Sequence, residues 1–368
     1  MNSNDLQIPV LDLSGAPAQV GAAHGEMQRQ RIREYVDRFL SWLLRSPAVP
    51  LTEESLWAKW APQVAVNQRE APALVEEMLG LARGSGVSFE RIFLLNSLLD
   101  LNSFRYLEMA QSFAGCSTFA VVSEAGTGRT LIGQTYDMPQ FHQDYLTVVR
   151  LRPAQGPGQL IFTFAGIVGA AGLNEAGIAV NINYLSPLDV GLGRLHSVTV
   201  RQILAATQLA DALTPVALPA RAGGAHFLIA HQDGDVLSVE TTAKRHWVAY
   251  PEGNALGHTN HYLAAWLKEV EYIRAGSIGG SLARYTALRR YLREHSERLT
   301  VESLMELTRN HSSYPRSICA HGADFEEPTA RTRTVSAMVQ IPAEGLLHVT
   351  AGCACENSFQ AISLKLTG

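Results

Sequence analysis

Two residues have types and a spacing that could do chemistry together. Cys116 follows Gly115 directly and opens an apolar, β-prone run through Val122. Asp137 lies near the end of a second such run, Thr130 to Asp137, beyond a Gly-rich turn at Glu124-Ala125-Gly126-Thr127-Gly128-Arg129. The pattern predicts a hairpin that opens on the thiol. A thiolate is a strong nucleophile, and the thiol titrates near ~8.5 unless shifted. Before Gly115 the chain reads mostly as helix and after it mostly as strand. A composition boundary with Gly-Cys on it suggests a place where the chain is cut. A cut there would make the Cys116 nitrogen an α-amine, which titrates near ~7.7–8.0 and can serve as a base on its own side chain. Gly115 has no Cβ, so its carbonyl stays open to the thiol and its backbone tolerates strain. Gly-Cys alone more commonly marks a small buried hydrophobe at a strand start.

A wider set of segments changes that balance. Gly115-Cys116-Ser117-Thr118-Phe119-Ala120, followed by Gly133-Gln134-Thr135-Tyr136-Asp137-Met138, resembles the self-processing acyltransferases related to isopenicillin N acyltransferase, which are N-terminal-nucleophile hydrolases. Gly21-Ala22-Ala23-His24-Gly25, the turn Asn174-Glu175-Ala176-Gly177, Thr259-Asn260-His261 and Ser317-Ile318-Cys319-Ala320-His321 are similar to further segments of that family, in the same order. The turn is also shared with the related choloylglycine hydrolases. The resemblance covers almost the whole chain.

What the resemblance implies is specific. The fold is α+β, a four-layer αββα sandwich of two antiparallel sheets between helices, with a helical N-terminal segment. The chain cuts itself between Gly115 and Cys116 into an α fragment, 1–115, and a β fragment, 116–368, which stay associated. Cys116 then attacks an amide or thioester carbonyl and carries the acyl group as a thioester. Asn260 stabilises the oxyanion, since an amide N–H donates without giving up a proton. Asp137 and Arg331 orient the new amino terminus and balance each other's charge, Asp137 staying ionised beside the arginine. Arg333 is close enough in sequence to be the true equivalent of Arg331, and Ala330 stands where the family carries Ser. Tyr136, Asn181 and Asn183 are candidate substrate contacts. Asn181 and Asn183 alternate with Val180 and Ile182, which puts both on one face of a strand. His24, His258 and His261 read as packing or hydrogen-bonding residues. No cofactor or metal is expected, and the partner is a small amide or acyl thioester. Hydrolysis and acyl transfer share this intermediate and are not separated by sequence.

Composition bounds the alternatives. A net charge of −4 gives no reason to expect a nucleic-acid or anionic-membrane partner. The first residues lack the basic and apolar regions of a signal peptide, and no apolar run is long enough to span a bilayer, so a soluble cytoplasmic protein is expected. Four cysteines in 368 residues argue for free thiols rather than a disulfide framework. Two other readings remain. One is an uncut, non-catalytic relative that acts as a scaffold. The other is a zinc-stabilised binding module using Cys319, His321, Cys353 and Cys355, with Cys116 inert. Against zinc, each pair leaves one intervening residue, tighter than the usual two to four.

Helical patterns are expected over 16–44, 52–60, 72–84, 88–106, 198–212, 281–295 and 301–310. Strands are expected at 9–14, 146–152, 159–164, on both sides of the 174–177 turn, at 224–231, 235–240 and 244–250, and in a hairpin over 334–350.

Overall fold

A computed structural model of the chain describes residues 7–45, 52–101, 115–272, 278–322 and 331–365. The chain opens on β1 (Val10–Gly15) and continues into α1 (Pro17–Met27), α2 (Arg29–Leu43), α3 (Glu53–Trp60), α4 (Pro62–Glu70), α5 (Pro72–Ser85), α6 (Phe89–Asn96) and α7 (Leu98–Leu101). Proline stands in the first turn of α1, α4 and α5, where its missing N–H has no helical partner to lose. Thr52 and Ser88 cap α3 and α6 by accepting from the Ser55 and Arg91 N–H groups.

The single helix expected over 16–44 is two helices, because Gln28 leaves the helical region at φ −117° and ψ 22°. Close packing fixes α1 separately. A Cβ at Gly21 or Gly25 would stand 1.9 or 2.6 Å from a carbonyl oxygen of α5, and one at Gly80 or Gly84 would stand 2.4 or 2.1 Å from α1. The glycines around His24 therefore serve helix contact. The helix expected over 88–106 breaks at Ser97, and its last five positions lie outside the described residues.

After residue 115 come β2 (Gly115–Val121), β3 (Leu131–Pro139), β4 (Leu146–Pro153), β5 (Gln159–Phe164), β6 (Ala171–Asn174) and β7 (Ile178–Leu185). Two helices, α8 (His196–Leu204) and α9 (Leu209–Ala217), replace the one expected over 198–212. Then follow β8 (Gly224–His231), β9 (Val236–Thr241), β10 (His246–Ala249), β11 (Ala255–His258), α10 (Ala265–Lys268), α11 (Ile278–Glu294), α12 (Val301–Leu307), β12 (Thr332–Ile341), β13 (Leu346–Val349) and β14 (Gln360–Ser363).

The strands form two sheets, ordered β1-β4-β5-β6-β7-β8-β9-β10 and β11-β2-β3-β12-β13-β14. The first is mixed rather than purely antiparallel, because β1 pairs in parallel with β4. On its outer face lie the N-terminal helices and α8, with Ile32, Tyr35, Phe93 and Leu94 in the same buried core as strand residues such as Ile161 and Val180. On the outer face of the second sheet, Phe119, Val121, Leu131 and Val339 meet Leu288, Leu292, Leu304 and Leu307 of α11 and α12. The order is helices, sheet, sheet, helices, as expected. Fully burying Phe93, Phe119 or Phe162 stabilises this stack by roughly 1.5–3 kcal/mol each. Glu77 of α5 and Arg201 of α8 form a buried two-pronged ion pair at 2.7 and 3.0 Å, which ties the outer helices together. Among the described residues no helix is long and apolar enough to cross a membrane.

Buried histidines make the fold sensitive to acid. His24 Nε2 accepts from the Gly166 N–H at 3.3 Å, and His142 Nδ1 bonds the Tyr35 hydroxyl at 2.7 Å. Burial depresses His24 to about 4 and His142 to about 3. A depressed histidine contributes stability that is present above its unfolded value near ~6.5 and lost as pH falls towards the folded value. Urea unfolding measured between pH 7 and 4.5 should therefore show stability declining below about pH 6.5, by up to ~1.4 kcal/mol per pH unit for each such group. A flat profile across that window would mean these rings titrate normally.

Candidate active site

Strand register assembles the site. In the β2–β3 hairpin Gly115 stands opposite Asp137, and Cys116 opposite Tyr136. On the far side of β3, Thr334 of β12 also stands opposite Asp137. On the other side of β2, β11 pairs His258 with Thr118, so the chain leaving β11 passes the start of β2 and delivers Asn260. From the outer layer α11 sends in Ser281 and Arg284, one turn apart on its buried stripe.

These groups converge on the backbone of Cys116. Its N–H donates to Asn260 Oδ1 at 2.8 Å, and its carbonyl accepts from Arg284 Nη1 at 2.5 Å. Arg284 also donates to Asn260 Oδ1 (2.9 Å) and Ser117 Oγ (3.1 Å). Two donors on Oδ1, with Asn260 Nδ2 donating to the Tyr184 carbonyl at 3.1 Å, fix the orientation of the amide. The Asn260 N–H donates to Ser281 Oγ at 2.9 Å, and His261 Nδ1 lies 2.8 Å from the same oxygen. His261 is thus a support of the loop, in keeping with its reading as structural.

Asp137 is 1% exposed, and its Oδ1 accepts from Thr334 Oγ1 at 2.7 Å. Its Oδ2 has no hydrogen-bond partner among the described residues and lies 3.9 Å from Arg284 Nη1. A Cβ added to Gly115 would stand 2.6 Å from that oxygen and 3.0 Å from Arg284 Nη2. Gly115 therefore lets a carboxylate and a guanidinium close in on the backbone next to Cys116.

Electrostatics keep the thiol protonated in the intact chain. Burial pushes Cys116 up to about 12, with Asp137 acting in the same direction and Arg284 against it. Burial also raises the Asp137 carboxyl, outweighing the lowering by Arg284 and Thr334. At Asp137, burial and the charge pairing with Arg284 thus act in opposite directions. Cross-strand from the thiol, Tyr136 donates to the Ala170 carbonyl at 2.9 Å. Tyr136 also lines a cavity of about 30 Å³ with Met138, Phe164, Ile167 and Ile182, room for about one water.

Residues 124–350 match the model of the acyl-coenzyme A:6-aminopenicillanic acid acyl-transferase family, most of the chain. The chain belongs to that family. It is accordingly an enzyme of the acyltransferase and hydrolase kind, acting on small acyl or amide substrates. The acyl-coenzyme A:6-aminopenicillanic-acid-acyltransferase 40 kDa form of Emericella nidulans is 24% identical over 310 residues, 83% of this chain and 82% of that protein. Two solved structures are more distant. The Caenorhabditis elegans N-acylethanolamine-hydrolyzing acid amidase ortholog has 14% identity and a TM-score of 0.44, over 62% of this chain and 93% of that one. Penicillin V acylase from Agrobacterium tumefaciens has 11% identity and a TM-score of 0.44, over 64% and 83%. Likenesses this loose carry nothing about substrate.

Arg333, Asn181 and Asn183 make their hydrogen bonds away from the Cys116 backbone. Arg284, which sequence reasoning passed over, lies against Asp137. Arg333 instead reaches Cys353 Sγ (3.0 Å) and Glu356 (2.5 Å). Arg331 precedes β12, where its carbonyl accepts from the Gln140 N–H, and Ala330 lies outside the described residues. Asn181 and Asn183 do share a face, but it is turned to the second sheet. Gln340 Nε2 donates to Asn181 Oδ1 at 2.7 Å, and Thr118 Oγ1 to Asn183 Oδ1 at 2.6 Å. His258 pairs with buried Glu240 at 2.8 Å and stacks on His226 at 3.8 Å, so it too supports the layer between the sheets. One signal could have found Arg284. Ser281, Arg284, Ala287, Leu288 and Leu292 fall on one helical face, and an arginine on an apolar stripe needs a buried partner.

Proposed function

We propose that this enzyme is a self-processing N-terminal-cysteine amide hydrolase or acyltransferase, activated by cutting between Gly115 and Cys116. The observation that carries the reading is the convergence of Asn260 Oδ1, Arg284 and the unpartnered Asp137 Oδ2 on the Gly115–Cys116 backbone. In the cut, Cys116 Sγ attacks the Gly115 carbonyl carbon, the peptide nitrogen leaves with a proton, and water hydrolyses the resulting thioester. The new α-amine inherits the Asn260 Oδ1 contact, with Asp137 beside it to hold its charge. It can then take the thiol proton that burial otherwise retains.

In turnover the same sulfur attacks an amide or thioester carbonyl, releases the amine or thiol, and passes the acyl group to water or an amine. Arg284 takes the orienting role expected of Arg331. Asn260 holds the amine through Oδ1, and its Nδ2 can serve an oxyanion once it releases the Tyr184 carbonyl. The name of the Emericella relative couples an acyl thioester donor to an amine acceptor, which supports a small acyl thioester or N-acyl amide as substrate. The fragments 1–115 and 116–368 would stay together, since β1 pairs with β4 and α6 bonds the Gly166–Val168 backbone through Asn96.

Intact mass of the purified protein tests this. Two fragments meeting at Gly115/Cys116 are expected, and an acyl thioester donor should add its acyl mass to the peptide that begins at Cys116. Gly115→Ala should cut about tenfold more slowly or worse, since its Cβ displaces Asp137 and costs ~1.4 kcal/mol or more in the transition state. A folded wild-type chain that stays whole and takes no acyl group would sink the proposal and leave the scaffold reading.

A further inference from the structure

We propose that His311, Cys319, His321 and Cys355 form a Cys2His2 site for one zinc ion, which ties the C-terminal segment to the segment that holds Thr334. Their four ligand atoms lie within 4.8 Å of one another. Four close pairs are Cys319 Sγ–Cys355 Sγ at 3.5 Å, Cys355 Sγ–His321 Nε2 at 3.3 Å, Cys319 Sγ–His321 Nε2 at 3.6 Å and His311 Nε2–His321 Nε2 at 3.0 Å. Tetrahedral zinc, with Zn–S near 2.3 Å and Zn–N near 2.0–2.1 Å, sets S–S at about 3.8 Å, S–N at about 3.5 Å and N–N at about 3.3 Å. Each pair is within a few tenths of an ångström of that figure. Hydrogen bonding explains the cluster poorly. Two Nε2 atoms 3.0 Å apart can share only one proton, yet His321 Nε2 faces both sulfurs as well.

The tight spacing that argued against zinc is resolved by the fold. His311 comes from the loop after α12, Cys319 and His321 from the irregular segment that follows it, and Cys355 from the turn after β13. Cys353, the fourth ligand of the sequence-based zinc reading, is not one of these four and falls in an adjoining group with His321 and Glu356. Its Sγ accepts from Arg333 and lies 3.3 Å from the Ala320 carbonyl. The outer shell is also present: Glu356 Oε1 lies 3.3 Å from His321 Nδ1 and can fix that ring with Nε2 towards the metal. Two thiolates and two neutral imidazoles make a neutral complex with Zn²⁺, and binding releases two thiol protons. Four protein ligands leave no open position, so the ion is structural. Ala320, between two ligands, donates its N–H to Thr334 Oγ1 at 2.8 Å, and the same hydroxyl donates to Asp137. The clamp therefore steadies the residue that holds the site carboxylate.

The test uses the full chain, reduced and stripped of metal with a chelator. Added Zn²⁺ should remain at one equivalent after desalting, by elemental analysis. Added Co²⁺ should give tetrahedral d–d bands and thiolate-to-metal charge transfer. Cys355→Ser and His311→Ala should lose the bound zinc, and Cys353→Ser should keep it. Reconstitution of the wild type keeps the test decisive if a variant does not fold. Wild-type protein that is folded, reduced and still retains no stoichiometric metal overturns the proposal. So does full zinc binding by folded Cys355→Ser, or a Cys319–Cys355 disulfide in freshly purified protein.

Discussion

Cys116→Ala should yield a single uncut chain of 40.0 kDa that is folded and inactive. Every step proposed for this enzyme passes through Cys116 Sγ. Removing it abolishes both the cut and the acyl-enzyme, and the loss of turnover should be on the order of 10⁴–10⁶-fold, as for other covalent nucleophiles. The fold should survive. The side chain is small and buried at the start of β2, and the backbone contacts to Asn260 and Arg284 do not use the sulfur. Intact mass reads the cut, circular dichroism reads the fold, and an acyl thioester assay reads turnover. A variant that is still cut at Gly115 would move the nucleophile elsewhere. One that is whole but turns over normally would separate the activity from the cut.

The second large effect is expected at Arg284. Its guanidinium binds the Cys116 carbonyl, Ser117 Oγ and Asn260 Oδ1, and it is the group that lowers both Cys116 and Asp137 against burial. Arg284→Ala should slow self-cleavage and turnover by about 10²–10³-fold, the usual cost of removing one preorganised charge donor. It should also destabilise the fold by roughly 3–5 kcal/mol, because Asp137 is left buried without its counter-charge. The pH profile separates the two effects. With Arg284 gone, the thiol and the Asp137 carboxyl both titrate higher, so the rising limb of activity should move to higher pH. Arg284→Lys keeps the charge but loses the planar fork, and should fall between. An Arg284→Ala protein with reduced stability but an unshifted profile would make the residue structural only. Arg331→Ala should shift the profile less than Arg284→Ala does, and the reverse order would return the role to Arg331.

Which expectations survived follows from the range of each signal. The β2–β3 hairpin, the capped helices and the Asn174–Gly177 turn are local, set by a few neighbouring residues whose turn chemistry, capping and alternation sit in the sequence. Local too is the adjacency of Gly115 to Cys116, and with it the place where a cut is proposed. Breaks at Gln28 and Ser97 were missed because periodicity continues across them, while the break depends on what each half packs against. The face shared by Asn181 and Asn183 was readable from alternation. What it faces was not, since Gln340 and Thr118 arrive from the other sheet.

The chain's local pattern determined a helical first part, a strand-rich remainder, the thiol at a strand start and the carboxylate on the paired strand, while the layered α+β class came from the family resemblance. Tertiary structure alone decided what surrounds them. Arg284 reaches Cys116 across 168 residues, Thr334 reaches Asp137 across 197, and Cys355 meets His321 across 34. Propensity and periodicity act over one or two turns of chain, whereas these contacts exist only once two sheets and an outer helix have closed on one another. Burial arises in the same step. It holds the thiol protonated and lifts the carboxyl, so the chemistry of both groups belongs to the assembled layers and not to the residues one by one.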